Sequence, residues 1–160
     1  MTRIVVFSDT HGNIRNCINV IDRIRQIDMI IHLGDIIRDA EDLQILYPHL
    51  PVEYVCGNND FNRTVPYEKI LDVKERKILI THGHLYRVKY EYDTIVDRGL
   101  ALNVDAVLFG HTHEPYEEHR SGISVMNPGS TSIPKFGRPS YGVIEIDNGK
   151  IATCICGISS

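Results

Sequence analysis

Five short apolar runs in this chain each stop on a polar cluster. Ile4-Val5-Val6-Phe7 leads into Asp9-Thr10-His11, Met29-Ile30-Ile31 into Gly34-Asp35, and Val52-Glu53-Tyr54-Val55 into Gly57-Asn58-Asn59-Asp60. Ile78-Leu79-Ile80 leads into Thr81-His82-Gly83-His84, and Ala106-Val107-Leu108-Phe109 into Gly110-His111-Thr112-His113. The runs are short and mostly rich in β-branched residues, which is the pattern of buried strands, so each cluster falls at the C-terminal end of a strand. Between them lie helical spacings: Ile14, Cys17, Ile18, Ile21 and Ile24 behind Asn13 as N-cap, and Tyr92, Ile95, Val96 and Leu102. A weaker third helix is expected from Asp39 to Leu46.

Strands alternating with helices call for right-handed crossovers and parallel pairing, and open sheets of that kind bind ligands beyond the carboxyl ends of their strands. The five clusters are therefore expected to converge on one edge. Near the C-terminus, Gly122 to Met126, Tyr141 to Ile146 and Ile151 to Ile155 read as further strands, with Asp147-Asn148-Gly149-Lys150 as a hairpin turn between the last two.

A length of 160 residues fits one domain with a proper core and little room for a cap over the site. The N-terminal apolar run has strand length and meets Ser8 and Asp9 at once, so neither a signal peptide nor a membrane span is expected and a cytoplasmic protein is the default. Cys17, Cys56, Cys154 and Cys156 are too scattered for a disulfide framework or a structural zinc site and read as reduced. A net charge of -4 without a basic stripe argues against binding long nucleic acid.

In the clusters, carboxylate, carboxamide and imidazole donors are numerous enough for two metal ions. Asp9 and His11 are one residue apart, so along an extended chain their side chains leave the same side and can share an ion, and His111 and His113 repeat that spacing. Asp35, next to Gly34, is the candidate to bridge two ions, and Asn58 offers a neutral carbonyl oxygen. A two-ion centre suggests phosphoester hydrolysis. Mixed Asp, Asn and His donors suit manganese, iron, zinc, cobalt or nickel better than calcium or magnesium and do not choose among them; manganese is the first expectation.

Asp-x-His, Gly-Asp, Gly-Asn-x-Asp, His-Gly-His and Gly-His-x-His, in that order from Asp9 to His113, resemble the calcineurin-like metallophosphoesterase superfamily. The motif Ser8-Asp9-Thr10-His11-Gly12, the short length, and Asn127-Pro128-Gly129-Ser130 following Gly110-His111-Thr112-His113 are most similar to its compact YfcE-type phosphodiesterases of bacteria and archaea. The resemblance implies an α/β fold, a β-sandwich of two mixed sheets flanked by helices. It implies that Asp9, His11, Asp35 and His113 hold one divalent transition-metal ion and that Asp35, Asn58, His82 and His111 hold the other. It also implies hydrolysis of small or exposed phosphodiesters by a hydroxide bridging the two ions, with no membrane partner and a homo-oligomer among the expectations. Many members carry His where this chain has Asn59, a residue that cannot act as an acid, and His84 is the other group expected to reach the pocket. Asp60 is expected to tie down the Asn58-Asn59 loop or orient a ligand, and the turn Asn127 to Ser130 takes a phosphate-facing role only by resemblance. His32, His49 and His119 read as structural, and Arg138 as an exposed loop residue. The competing functions are a phosphomonoesterase acting on nucleotides or phosphoproteins, and a retromer-subunit-like scaffold that binds protein.

Overall fold

The run from Thr2 to Phe7 forms strand β1, in which Ile4, Val5, Val6 and Phe7 are all fully buried. A strand covered on both faces reads as a continuous apolar run. In the computed structural model, which describes residues 1–61 and 64–159, the order of elements after β1 is α1 (Arg15–Arg23), β2 (Met29–His32), α2 (Ile37–Leu46), β3 (Val52–Tyr54), β4 (Glu68–Val73), β5 (Arg76–Thr81), α3 (Asp93–Ala101), β6 (Ala106–Leu108), β7 (Tyr116–Arg120), β8 (Ile123–Asn127), β9 (Ser140–Asp147) and β10 (Lys150–Gly157). A single 3₁₀ turn, His84–Tyr86, follows β5.

The strands form two five-stranded sheets, ordered β10-β9-β1-β2-β3 and β4-β5-β6-β8-β7. Pairing is parallel where the polar clusters arise, β1 with β2, β2 with β3, β5 with β6 and β6 with β8. It is antiparallel at β9, β10, β4 and β7. The wholly parallel open sheet read from the alternation of elements is thus corrected to two mixed sheets, as the family resemblance implied. One core lies between the sheets, built from Ile4, Val6 and Ile31 of the first and Ile78, Ile80, Leu108 and Met126 of the second. Val5, Phe7 and Ile30 face the other way against Cys17, Val20 and Ile21 of α1 and Leu43 of α2. Leu79 and Val107 pack outward on Ile95 and Val96 of α3. The layers are therefore helix, sheet, sheet, helix.

The five anticipated strands are present, with β3 and β6 each one residue shorter than read. α1 starts at Arg15 with Ile14, not Asn13, at the N-cap position; Asn13 Oδ1 accepts from the Arg15 N–H at 3.1 Å one residue further out. α2 begins at Ile37, two residues before the anticipated start. The tail strands and the turn at Asn148-Gly149 also form, both turn residues at positive φ. Strands β4 and β7 are additions. The turn between β4 and β5 places Lys74 and Glu75 at φ of 48° and 64° without a glycine or asparagine to mark it.

Candidate metal centre

The loops that follow β1, β2, β3, β5 and β6 meet at one edge of the sandwich. Asp9 Oδ1 lies 3.8 Å from His11 Nε2, 3.7 Å from His82 Nε2 and 3.3 Å from His113 Nε2. Asp35 Oδ2 lies 3.7 Å from His11 Nε2 and 3.4 Å from His82 Nε2. Two triads have donor atoms close enough to share a cation, Asp9 with His11 and His113, and Asp9 with Asp35 and His82. Both carboxylates therefore stand between the two halves of the centre, whereas the sequence reading singled out Asp35. His111 joins through Nδ1, 3.3 Å from His82 Nε2.

The backbone that achieves this is not extended. Asp9, His11, Asp35, His111 and His113 all have positive φ, between 48° and 72°. Each such non-glycine residue costs on the order of 1–3 kcal/mol and persists only where its surroundings hold it, and these conformations cluster at functional sites. Asp9 and His11 do converge, but through two left-handed residues rather than through the alternation of a strand. His111 and His113 do not share a ligand direction: one faces His82 and the other faces Asp9 and His11.

Each ligand-type side chain is oriented by a second contact. Asp9 Oδ2 accepts from Ser8 Oγ at 2.6 Å and from the His111 N–H at 2.9 Å, which turns Oδ1 toward the histidines. His82 Nδ1 donates to Leu33 O, and His113 Nδ1 to Ile133 O, each at 2.8 Å. In the neutral rings the lone pair then lies on Nε2, aimed at the carboxylates. His11 Nε2 is 3.3 Å from His113 Nε2. Asp35 is gripped by Asn59, whose N–H donates to Oδ1 at 3.0 Å and whose Nδ2 donates to Oδ2 at 2.7 Å. Asp60 Oδ2 accepts from the N–H groups of Asp35 and Gly57 at 3.0 and 2.8 Å, and its Oδ1 from Ile37 at 2.9 Å. Asp60 thus ties the Asn58-Asn59 loop to the Asp35 loop.

Asn58 is exposed on that same loop. Among the described residues, His84 Nδ1 is buried without a hydrogen-bond partner, and its ring centroid stands 5.5 Å from that of His82 and 6.1 Å from that of His111. Asn127 and Ser130 are fully buried and hold the loops from behind. Asn127 Nδ2 donates to Gly110 O at 3.1 Å, and Ser130 Oγ donates to Asp9 O at 2.8 Å. This segment carries the loops. His49 and His119 are exposed, as is Arg138.

The close packing leaves no space for side chains at two glycines. A Cβ on Gly57 would stand 2.1 Å from Asp35 Oδ1, and one on Gly110 would stand 2.0 Å from Ser8 Oγ and 2.6 Å from Asp9 Oδ2.

The electrostatics favour positive charge. Burial opposes ionisation of Asp9, but the neighbouring imidazoles of His11, His113 and His82 outweigh it, and its pKa lies well below the carboxylate range. At Asp35 burial is likewise overcome, by His82 and Asn59, and the pKa falls to about 2. Burial pushes His82 down, yet Asp35 and Asp9 carry it above its ordinary value, and Asp9 raises His113. Burial, then the charges of His82 and Lys89, lower His111 to about 4. A metal ion answers the same field by displacing protons from the rings. The residues fit such an ion in one further respect: Asp9 Oδ1, fully buried, has no hydrogen-bond partner among the described residues.

A buried network missed by sequence reasoning lies beneath. The Gly34 N–H donates to His32 Nδ1 at 3.1 Å, so Nε2 carries the ring proton and donates to Thr10 Oγ1 at 2.9 Å. The Thr10 hydroxyl donates to Asp39 Oδ2 at 2.5 Å, which also accepts the Gly12 N–H at 2.8 Å. No local periodicity marks Asp39, since its partners are far away in sequence. Burial, outweighing the charge of Asp39, lowers the His32 pKa from 6.5 to about 4. Unfolded, His32 takes up a proton near pH 6.5; folded, it stays neutral down to about pH 4. Its contribution is complete above 6.5 and is lost as pH falls through 4, a change of about 3 kcal/mol. Urea unfolding at pH 7 and pH 4.5 is expected to show most of this loss in the parent protein and a smaller one in His32→Asn.

A family model described as the calcineurin-like phosphoesterase superfamily domain matches residues 2–149. The chain is 33% identical over 148 residues to the probable metallophosphoesterase YsnB of Bacillus subtilis, covering 91% of this chain and 85% of that protein. It is 30% identical over 173 aligned positions to phosphodiesterase YfcE of Escherichia coli K12, covering 92% and 89%. A solved structure of a predicted phosphoesterase from Streptococcus pneumoniae TIGR4 superposes with a TM-score of 0.81 at 27% identity, over 98% of this chain and 89% of that one.

Proposed function

Because the chain belongs to the calcineurin-like phosphoesterase superfamily, we propose that it is a phosphodiesterase that works with two divalent transition-metal ions, manganese first, on small or exposed phosphodiesters. Asp9, His11, Asp35 and His113 hold one ion, and Asp35, Asn58, His82 and His111 the other. The observation that carries this is Asp9 Oδ1, a fully buried carboxylate oxygen with three imidazole nitrogens within 3.8 Å. Bound there, a pair of divalent ions supplies Lewis acidity toward phosphoryl oxygens and activates water at neutral pH.

The protein's own groups prepare that chemistry. Leu33 O and Ile133 O fix the tautomers of His82 and His113, Ser8 and the His111 N–H set the rotation of Asp9, and Asn59 sets that of Asp35. With its amide spent on Asp35, Asn59 positions a ligand and supplies no proton to a leaving group, so alcohols of low pKa are the better leaving groups. The scaffold alternative receives no support from the site, where all seven donor residues of the two sets keep competent side chains. A cytoplasmic location belongs to the same reading; among the described residues no helix is long and apolar enough to cross a membrane.

Protein loaded with manganese or nickel is expected to hydrolyse bis-p-nitrophenyl phosphate well above a chelator-stripped control, with activity returning on adding metal. Equal rates with and without metal would contradict the proposal. Faster turnover of p-nitrophenyl phosphate than of the bis-ester would favour the phosphomonoesterase reading instead.

A further inference from the structure

Beside the centre opens a cleft of about 490 Å³ whose wall includes His111 and His113, so a group bound there lies next to the donors. Its other lining residues include Lys89, Tyr90, Glu114 and Lys135. The segment bearing Lys89 and Tyr90 is fixed from below. Val88 is 2% exposed and packs in the core of the second sheet, and the Tyr90 N–H donates to Arg87 O at 2.9 Å. Tyr90 is nonetheless 80% exposed, and the Arg87 guanidinium stands 5.6 Å from its ring centroid. Opposite, the Lys135 N–H donates to His113 O at 2.9 Å, while its ammonium is 3.6 Å from Glu114. Lys89 forms no ion pair among the described residues.

An anchored, open aromatic ring beside two lysines meets two chemical demands at once. A flat base stacks on the ring, and a second anionic group finds an ammonium not already neutralised. In a chain of net charge -4, this wall of two lysines and one glutamate leaves the Lys89 ammonium as a place where a small anion is drawn. We propose that this cleft is a nucleotide subsite, with Tyr90 as the stacking platform for a nucleobase and Lys89, assisted by Lys135, as the contact for a further phosphate. The proposal rests on the phosphodiesterase reading and narrows its substrate to nucleotidyl phosphodiesters.

Two diesters with the same leaving group, p-nitrophenyl thymidine 5′-phosphate and methyl p-nitrophenyl phosphate, isolate the contribution of the base. The metal-loaded protein is expected to prefer the thymidine ester about tenfold or more in kcat/KM, and Tyr90→Ala to remove most of that preference. Independently of turnover, calorimetric titration with adenosine 5′-diphosphate is expected to show binding weakened about tenfold by Tyr90→Ala and by Lys89→Met. Equal kcat/KM on the two esters, or a preference that survives Tyr90→Ala, overturns the subsite. If neither ester is hydrolysed, the phosphodiesterase reading fails, and the titration still decides: binding that needs Tyr90 and Lys89 upholds the subsite, and binding indifferent to both, or none, refutes it.

Discussion

Replacing Asp35 by Asn is expected to lower phosphodiesterase activity more than about 100-fold while leaving the fold in place. Removing a group that merely orients a metal ligand costs about 10–100-fold, and a carboxylate shared by two ions stands above that range. Asn occupies the same volume at a site where Asp35 is 2% exposed, so packing is preserved. What is lost is the anionic oxygen lying 3.4 Å from His82 Nε2 and 3.7 Å from His11 Nε2. The measurement is kcat/KM on the bis-ester together with metal content per chain. Activity within a few-fold of the parent would remove Asp35 from its bridging role, and unchanged metal content would reject it as a ligand.

The second large effect is on stability. Asp60 is 8% exposed and accepts three backbone N–H groups, from Asp35, Ile37 and Gly57. Asp60→Ala leaves all three without that acceptor, at about 1–3 kcal/mol for each buried donor. A loss of at least about 3 kcal/mol corresponds to a fall in Tm of roughly 6–12 °C in a domain of this size. Because the same carboxylate holds the Asp35 and Asn59 loops together, metal affinity is expected to fall with it, by about 10–100-fold. Calorimetry on the metal-free variant separates the two effects. A Tm within 2 °C of the parent, on the order of the shift from 1 kcal/mol or less, would show that water replaces the carboxylate at no cost.

The sequence carried much of the candidate site because the donor residues lie in short clusters at strand ends, where an apolar run such as Ile4 to Phe7 stops abruptly. It did not carry the local geometry that brings them together. Asp9 and His11 read as neighbours on an extended chain, yet both adopt left-handed backbone, held by hydrogen bonds from the Asp9 N–H to Gly34 O and from the His11 N–H to Asp35 O. Those partners are remote in sequence, and no local pattern announces them. The same reason hides the supports: Asp39 grips Thr10 and Gly12 across 29 and 27 residues, and Ser130 reaches Asp9 across 121. His32, by contrast, was legible as structural simply because it belongs to no motif.

The strands that escaped the reading are edge strands. β7, Tyr-Glu-Glu-His-Arg, has one face toward water and almost no apolar residue, and β4 turns into β5 through Lys74-Glu75, which lacks ordinary turn residues. Four parallel pairings dominated the signal; of the antiparallel strands, β9 and β10 were legible through their alternation and the Asn148-Gly149 turn, whereas β4 and β7 left little trace in the pattern.

The most direct measurement is an anomalous-difference map from crystals grown with manganese. The account predicts two peaks, about 3.5–4 Å apart, flanked by Asp9 and Asp35, with His11 and His113 beside one and His82 and His111 beside the other. A map with no peak between Asp9 and Asp35, from protein that hydrolyses the bis-ester, would contradict it.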